Sequence, residues 1–556
     1  MNRFALQWLA AFIIFGLIPL PIQSAPARPD ILLIVADDMG YTDWGGFGGE
    51  IHTPNLDALA ARGQRFAQFY TASTCSPTRS MLLTGIDHHM VGLGTMIELI
   101  SPNQIGAPGY EGYLNSRAVT LPQLLNDNGY KTLMAGKWHL GLEPAQDPSR
   151  FGFDHSFAML RGAASHFGDE APYAPNYLPI YRHDGKQVHV PDQFYSSDFY
   201  ADKLSTWISD TPRQQPLFAY LAFTAPHDPL HVPDHWIDRY RGKYDAGYDQ
   251  LRGTRVARLV ELGLLDAADL AAPLPPHVRP WDRLTPDEQV YSSRAMEIYA
   301  AMVENLDHNV GKVIDTLKRE GRYDRTLIMF ISDNGANGIL LQQNPLVPDN
   351  WVEQNSDNRL ENLGRKGSRP STGPGWALAG TAPFALHKLF ISEGGVRSPL
   401  IVAGPGVGAA DRPINAISTV QDIMPTLLEL ADITAPLHYN GQAVLPVQGR
   451  SMLPLLRGES NAVHLPDAEF GFELFGMQAL RKGDWKISNI NRPFGTATWQ
   501  LFNLAIDPGE TNDLAAEEPE RLQALIQAWQ RYAARTGIVL PERPVFGAGS
   551  KKMVTQ

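Results

Sequence analysis

The stretch "DILLIVADDMG" (Asp30–Gly40) is a continuous apolar run that ends on two aspartates and a glycine. An apolar run without polar alternation must be covered on both faces, which marks a central strand of a parallel sheet. The same pattern recurs. "PLFAYLAFTAPHDPL" (Pro216–Leu230) ends in Pro226-His227, "TLIMFISDNG" (Thr326–Gly335) in Asp333-Asn334, and "GGVRSPLIVAGPG" (Gly394–Gly406) adds one more strand. Between them lie helical patterns. "TPNLDALAARG" (Thr53–Gly63) has a Thr-Pro start and a Gly stop. "TLPQLLNDNGYKTLMAGKWHLG" (Thr120–Gly141) reads as helix, turn, strand, then a loop bearing Lys137 and His139. Long helical spacing runs over Ser292–Gly321, and a capped helix over Ser418–Ile433. The chain is therefore an α/β protein, with a large, mostly parallel sheet sandwiched by helices. In such sheets ligands bind at the carboxyl ends of the strands, where these polar clusters fall.

After about residue 435 the texture changes. "FGMQALRKGDWKISNI" and "TWQLFNLAIDPGE" read as antiparallel strands, and "PERLQALIQAWQRYAARTG" (Pro519–Gly537) as one amphipathic helix. The expected division is a signal peptide over 1–27, a catalytic unit over 28–435, and a smaller C-terminal α+β unit with an antiparallel sheet over 436–556. Residues Gln342–Ala382, rich in Pro, Gly, Asn and Ser, read as a long functional connection. At the N-terminus, Arg3, the apolar run Phe4–Leu20 and Ala25-Pro26-Ala27 describe an export signal cleaved near 25–27. The mature chain is expected to be exported, periplasmic or secreted, with no stable membrane anchor. A formal charge of -12 argues against nucleic acid as a partner, but leaves room for a small basic pocket and an anionic substrate.

Two strand ends bring oxygen donors: Asp37 and Asp38 from one, Asp333 and Asn334 from another. Hard oxygen donors of this kind suit calcium or magnesium, and not zinc. Taken singly, each pair is also an ordinary turn sequence. Cationic groups stand in comparable places: Arg79, Lys137, His139, His227 and Lys388, several beside glycine-bounded turns, with Lys137 and His139 two apart and expected on one side of an extended segment. A pocket with a divalent cation, Lys, Arg and two His suits a tetrahedral oxyanion whose charge is stabilised during displacement.

Cys75 is the only cysteine, in "TASTCSPTRSMLLTG" (Thr71–Gly85). It can form no internal disulfide and no cysteine-rich zinc site. It could be a nucleophile, a buried filler, or the precursor of another group. Its place is at or near the start of a helix, where negative charge is favoured. Yet soft sulfur is a poor partner for a hard cation, and an exposed thiol is an oxidation liability after export.

The motifs together resemble the type I, formylglycine-dependent sulfatases of the alkaline-phosphatase-like superfamily, bacterial arylsulfatases in particular. "CSPTR" fits their Cys-X-Pro-X-Arg signature, and "ADDMG", "GKWHLG", "APH", "SDNG" and "K…EGGVR" are the other sulfatase motifs, in the family's order. The likeness extends over nearly the whole mature chain. It implies hydrolysis of aryl sulfate esters to a phenol and inorganic sulfate. It implies oxidation of Cys75 to Cα-formylglycine by a formylglycine-generating or sulfatase-maturing enzyme that reads Pro77 and Arg79; this oxidation is expected before the chain folds. One hydroxyl of the hydrated aldehyde would attack sulfur, and the other would lose its proton to release sulfate. Carried over by position, Asp37, Asp38, Asp333, Asn334 and modified Cys75 would hold one calcium ion. Arg79 would hold the hydrate, Asp333 would help deprotonate it, and Lys137 and Lys388 would neutralise sulfate. His227 would be the acid toward the leaving oxygen, and His139 would assist the elimination. The loops Ser101–Leu114 and Gln342–Ala382 are expected to shape the substrate pocket. Alternative readings are a phosphate or phosphonate monoester hydrolase of the same superfamily, and a calcium-stabilised sulfate-binding protein without turnover.

Overall fold

The computed structural model describes residues 28–168, 170–267 and 270–545. The expected signal peptide lies outside them. No helix among the described residues is long and apolar enough to cross a membrane.

The large sheet has ten strands: β1 Asp30–Ala36, β2 Gln64–Tyr70, β3 Lys131–Lys137, β4 His155–Met159, β5 Tyr181–His183, β6 Lys186–Val188, β7 Leu217–Ala222, β8 Thr326–Ser332, β9 Arg397–Ala403 and β10 Ser418–Thr419. Their spatial order is β10-β2-β9-β8-β1-β7-β3-β4-β5-β6. The centre is parallel, with β1 between β7 and β8, and β3 between β7 and β4. β1 is buried along its whole length, as its apolar run requires. Its residues alternate between two cores. Leu32, Ile34 and Ala36 join the helices Pro54–Arg62, Ser196–Asp210 and Pro286–Arg319 on one face. Ile31, Leu33 and Val35 join Cys75–Thr84, Leu121–Asp127 and Ile423–Leu430 on the other.

β9 runs antiparallel to both β8 and β2. This reversal positions the site. The segment before β9, with Lys388, and the segment after β2, with Cys75, both arrive at the edge where β1, β3, β7 and β8 end. The expected connection Gln342–Ala382 is not wholly irregular, since it contains the short helices Trp351–Asn355 and Pro374–Gly380.

The C-terminal unit holds a four-stranded antiparallel sheet, Glu469–Leu474, Met477–Lys482, Trp485–Asn489 and Gln500–Asn503. The helix Pro519–Thr536 packs Leu525, Ala528, Trp529 and Tyr532 against Leu480, Ile487 and Leu501. Elsewhere the sheet meets the main unit, where Leu474, Phe475, Met477 and Ala479 cluster with Leu386, Leu389, Phe390 and Ile391. Lys388 therefore sits in a segment that the C-terminal sheet supports.

A second tie is ionic. His89 Nδ1 lies 2.8 Å from Asp87 Oδ1 and its Nε2 lies 3.0 Å from Glu473 Oε2. Tyr532 donates to Asp87 Oδ2 at 2.6 Å, and the His88 ring stands 3.9 Å from that of His89. Burial disfavours the His89 imidazolium, but Asp87 and Glu473 outweigh it and raise its pKa to about 9, while burial and His89 push His88 down to about 3. A pKa raised in the folded state adds stability that is complete below the ordinary value of 6.5 and is lost as pH rises through about 9. Thermal unfolding followed from about pH 6 to about pH 10 should show this loss, roughly 3 kcal/mol in full. His89→Gln should be less stable near neutrality and flatter with pH. A variant as pH-sensitive as the parent would place the effect elsewhere.

Candidate active site

Asp37 and Asp38 follow β1 directly, with Asp38 in the left-handed region at φ 71°. Asp333 and Asn334 follow β8. Cys75 is the first residue of the helix Cys75–Thr84, and Arg79 lies one turn on. All ten residues singled out in the sequence come to this edge of the sheet, and all are buried.

Their contacts form one network. Lys137 Nζ lies 2.9 and 2.7 Å from the two Asp37 oxygens. Lys388 Nζ lies 2.7 Å from the Asp38 carboxylate, and His227 Nε2 lies 3.4 Å from Asp38 Oδ2. Arg79 donates from Nε and Nη2 to Asp333 Oδ2 at 3.0 and 2.8 Å, and from Nη1 to the Lys137 carbonyl at 3.1 Å. Asp333 Oδ1 accepts the Asp38 N–H at 3.2 Å. Asn334 donates to Asp38 Oδ1 at 2.7 Å, and Cys75 Sγ stands 3.4 Å from Asp37 Oδ1.

Burial would raise the Asp37 pKa, yet Lys137, His227, Arg79 and Lys388 together hold it well below the usual carboxylate range. Asp333 goes the other way: burial and the charge of Asp37 raise it to about 6 despite Arg79. Burial also raises the Cys75 thiol, against the pull of Lys137 and Lys388, which disfavours a thiolate of the unmodified cysteine. For His227, burial lowers the pKa, but Asp38 reverses that and the net shift is upward. His139 is lowered, chiefly by burial.

Ligand atoms of Asp37, Asp38, Cys75 and His227 lie within 4.8 Å of one another. Asn334 Oδ1, one residue from Asp333, is buried without a hydrogen-bond partner among the described residues. An orphaned carbonyl oxygen beside converging carboxylates fits a hard cation.

A cavity of about 60 Å³ opens onto this cluster, lined by Cys75, His139, His227 and Lys388 and walled by Met96, Leu99, Tyr173, Ile339 and Leu346. Two expectations are corrected here. Residues 101–114 do not line this cavity; the preceding Met96, Glu98 and Leu99 do, with Asn344 and Leu346 from the second loop. Lys137 and His139 do not share one side of an extended segment, because His139 adopts φ 57° and turns the chain. Glu98, Tyr173 and Tyr177 were not found from sequence, since they lie in loops without periodicity. A separate cavity of about 460 Å³ shares Ile339 with this one, but is bounded by Tyr248, Tyr291 and Phe494 and holds none of the cluster.

A doubly wound sheet whose carboxyl edge gathers carboxylates, an orphaned amide oxygen, two lysines, an arginine and two histidines around one small cavity defines a hydrolase of tetrahedral oxyanion esters. The chain belongs to the sulfatase family, whose model matches residues 29–433, and it acts on sulfate esters. It is 44% identical to an uncharacterized sulfatase of Schizosaccharomyces pombe, over 93% of this chain and 95% of that one. It is 43% identical to the arylsulfatase of Klebsiella aerogenes, over 76% of this chain and 91% of that one. Among solved structures it is similar to Ps i-CgsB in complex with a neocarrahexaose, with a TM-score of 0.64, 25% identity, and 91% and 93% of the two chains covered. The family generally uses a formylglycine and a metal ion, and the acidic cluster is a possible seat for that ion.

Proposed function

We propose that the protein is an arylsulfatase whose nucleophile derives from Cys75 and whose cation is calcium, held by Asp37, Asp38, Asp333, Asn334 and the modified residue 75. The observation that carries this reading is the placement of residue 75 among hard oxygen donors: Cys75 Sγ is 3.4 Å from Asp37 Oδ1, where sulfur is a poor ligand and an oxygen a good one. A formylglycine hydrate at residue 75 would supply two hydroxyls, one as nucleophile toward sulfur and one as the proton source for release of sulfate. A bound calcium ion supplies Lewis-acid stabilisation of charge on oxygen.

The chain's own residues do the rest. Lys137 and Lys388 are the cations placed to neutralise the sulfate oxygens. Arg79 fixes Asp333 by two hydrogen bonds and, one helical turn from residue 75, would hold the hydrate. His227 Nδ1 lies 2.6 Å from the Asp228 carbonyl and the residue lines the cavity, which supports its reading as the acid for the leaving oxygen. His139 is the base for the second hydroxyl. Cys75 and Arg79 are 1% and 0% exposed, which supports modification before folding by a formylglycine-generating or sulfatase-maturing enzyme. An apolar cavity wall supports an aryl leaving group. The domain boundaries near residues 27 and 435, and export with cleavage near 25–27, belong to the same reading.

Dialysis against a chelator should lower turnover of an aryl sulfate by at least about tenfold, with calcium restoring it better than magnesium. Turnover of the aryl sulfate should exceed that of the matched aryl phosphate. Full activity in metal-free protein, confirmed by elemental analysis, would remove the calcium reading. A preference for the phosphate would remove the sulfatase one.

A further inference from the structure

Glu98 lies in the turn Ile97–Leu99, with its side chain 8% exposed in the wall of the catalytic cavity. A buried carboxylate in an apolar wall needs a reason, because its desolvation is costly unless it is paired. Its two oxygens are both engaged. Tyr177 Oη is 2.9 Å from Oε1, and His139 Nε2 is 3.3 Å from Oε2.

The direction of these hydrogen bonds is set by the chemistry of each group. The Gly162 N–H donates to Tyr177 Oη at 3.1 Å. The phenol, already accepting from the backbone, has its own proton to give, and Glu98 receives it. Glu98 is thus an acceptor on both oxygens, so the proton between it and His139 belongs to Nε2. Neutral imidazole carries one N–H, so His139 Nδ1 is left with a bare lone pair. That atom is buried and has no hydrogen-bond partner among the described residues. Space for the arrangement is set by Gly162, where a Cβ would come within 2.8 Å of His139 Cε1 and 3.2 Å of Tyr177 Oη. His139 itself adopts left-handed backbone, at φ 57°.

We propose that Glu98, with Tyr177, is a positioning residue for the elimination step: the chain from Gly162 N–H through Tyr177 and Glu98 fixes His139 as the Nε2–H tautomer and leaves Nδ1 as the proton acceptor for residue 75. This rests on the reading of His139 as the base. The second hydroxyl of the hydrate would give its proton to Nδ1 while its oxygen forms the C=O bond of the regenerated aldehyde; the C–O bond to the sulfuryl group would break with its electron pair and release sulfate, and Glu98 would balance the resulting imidazolium through Nε2–H. The carboxylate itself takes up no proton.

The test has two arms. In histidine-labelled ¹⁵N protein, with the His139 signals assigned by His139→Gln, the neutral ring should show the Nε2–H pattern; the Nδ1–H pattern would overturn the proposal. In steady-state kinetics on an aryl sulfate, Glu98→Gln should lower kcat by about 10- to 100-fold with KM changed less than about threefold. Its acidic limb should move to lower pH, because the imidazolium has lost its counter-charge. Tyr177→Phe should fall in between, and Glu98→Asp should recover part of the rate. A Glu98→Gln enzyme with parental kcat and an unmoved acidic limb would also overturn it. If Glu98→Gln does not fold, Tyr177→Phe and the tautomer of the unsubstituted protein decide the matter. A parent protein that fails to turn over any sulfate ester would count against the proposed function and leave the tautomer result standing on its own.

Discussion

Cys75→Ala should abolish turnover, by about 10⁴-fold or more, while leaving thermal stability within a few degrees of the parent. The first half comes from the site. Residue 75 opens the helix Cys75–Thr84 with its side chain against Asp37 and Asp38, and the lysines that would balance transferred charge, Lys137 and Lys388, grip those same carboxylates. The second half comes from size: alanine removes only the oxygen of the aldehyde, or the two of its hydrate, from a buried site, a change of the order of 1 kcal/mol. The chemical identity of the native group is read by mass spectrometry of the peptide spanning Thr71–Gly85. The expected species carries an aldehyde in place of the thiol. Intact thiol in fully active protein would sink the mechanism, because burial keeps that thiol protonated. Cys75→Ser gives a further check. A single hydroxyl can accept a sulfuryl group but has no second hydroxyl to expel it, so unmodified serine should trap a stoichiometric sulfate ester without turnover.

These site residues were legible in the sequence for a physical reason. Asp37, Asp38, Asp333 and Asn334 each come directly after an apolar run that can only be a buried strand, and the first residues past such strands gather at the carboxyl edge of a parallel sheet. Cys75 and Arg79 are one helical turn apart, so one local element carries both. Lys388 was legible as a motif but not as a neighbour of Asp38, because its place depends on β9 running against β8, and an apolar run has no direction. Glu98 gave no signal. It sits in a three-residue turn, and its partners Tyr177 and His139 are 79 and 41 residues away. The loop Ser101–Leu114 was expected at the pocket but ties to the C-terminal segment instead, with Asn103 and Gln104 donating to the carbonyls of Leu540 and Val539. The long helix begins at Pro286 and not near Ser292, and the cause is visible in "TPDE": Thr285 caps it and Glu288 closes the capping box.

Lys486→Met should cost about 3–5 kcal/mol and should also slow catalysis in the molecules that stay folded. Lys486 Nζ lies 2.9 Å from Glu393 Oε1 and 2.9 Å from Glu510 Oε1, and all three side chains are buried. Glu393 further accepts from Tyr70 at 2.6 Å, and Arg397 lies 3.4 Å away; Glu510 accepts the Glu393 N–H at 2.7 Å. Methionine fills the stem's space but leaves two carboxylates facing each other without the ammonium between them. Burial and the charge of Glu393 already raise the Glu510 pKa against the pull of Lys486, so protonation of Glu510 will soften the loss at acid pH. The link to catalysis is the chain itself. Glu393 begins the short helix Glu393–Val396, five residues after Lys388, and the intervening segment packs on Phe475 and Met477 of the C-terminal sheet. Loosening this joint should therefore free Lys388 from Asp38, and kcat/KM should fall more than the loss of folded protein explains. Calorimetry gives the stability change, and initial rates normalised to folded enzyme give the catalytic one. The double substitution Lys486→Met with Glu510→Gln should regain about half the stability, since it removes the uncompensated charge as well as its partner. A single variant that loses less than about 1 kcal/mol would mean the joint is held by its apolar contacts alone.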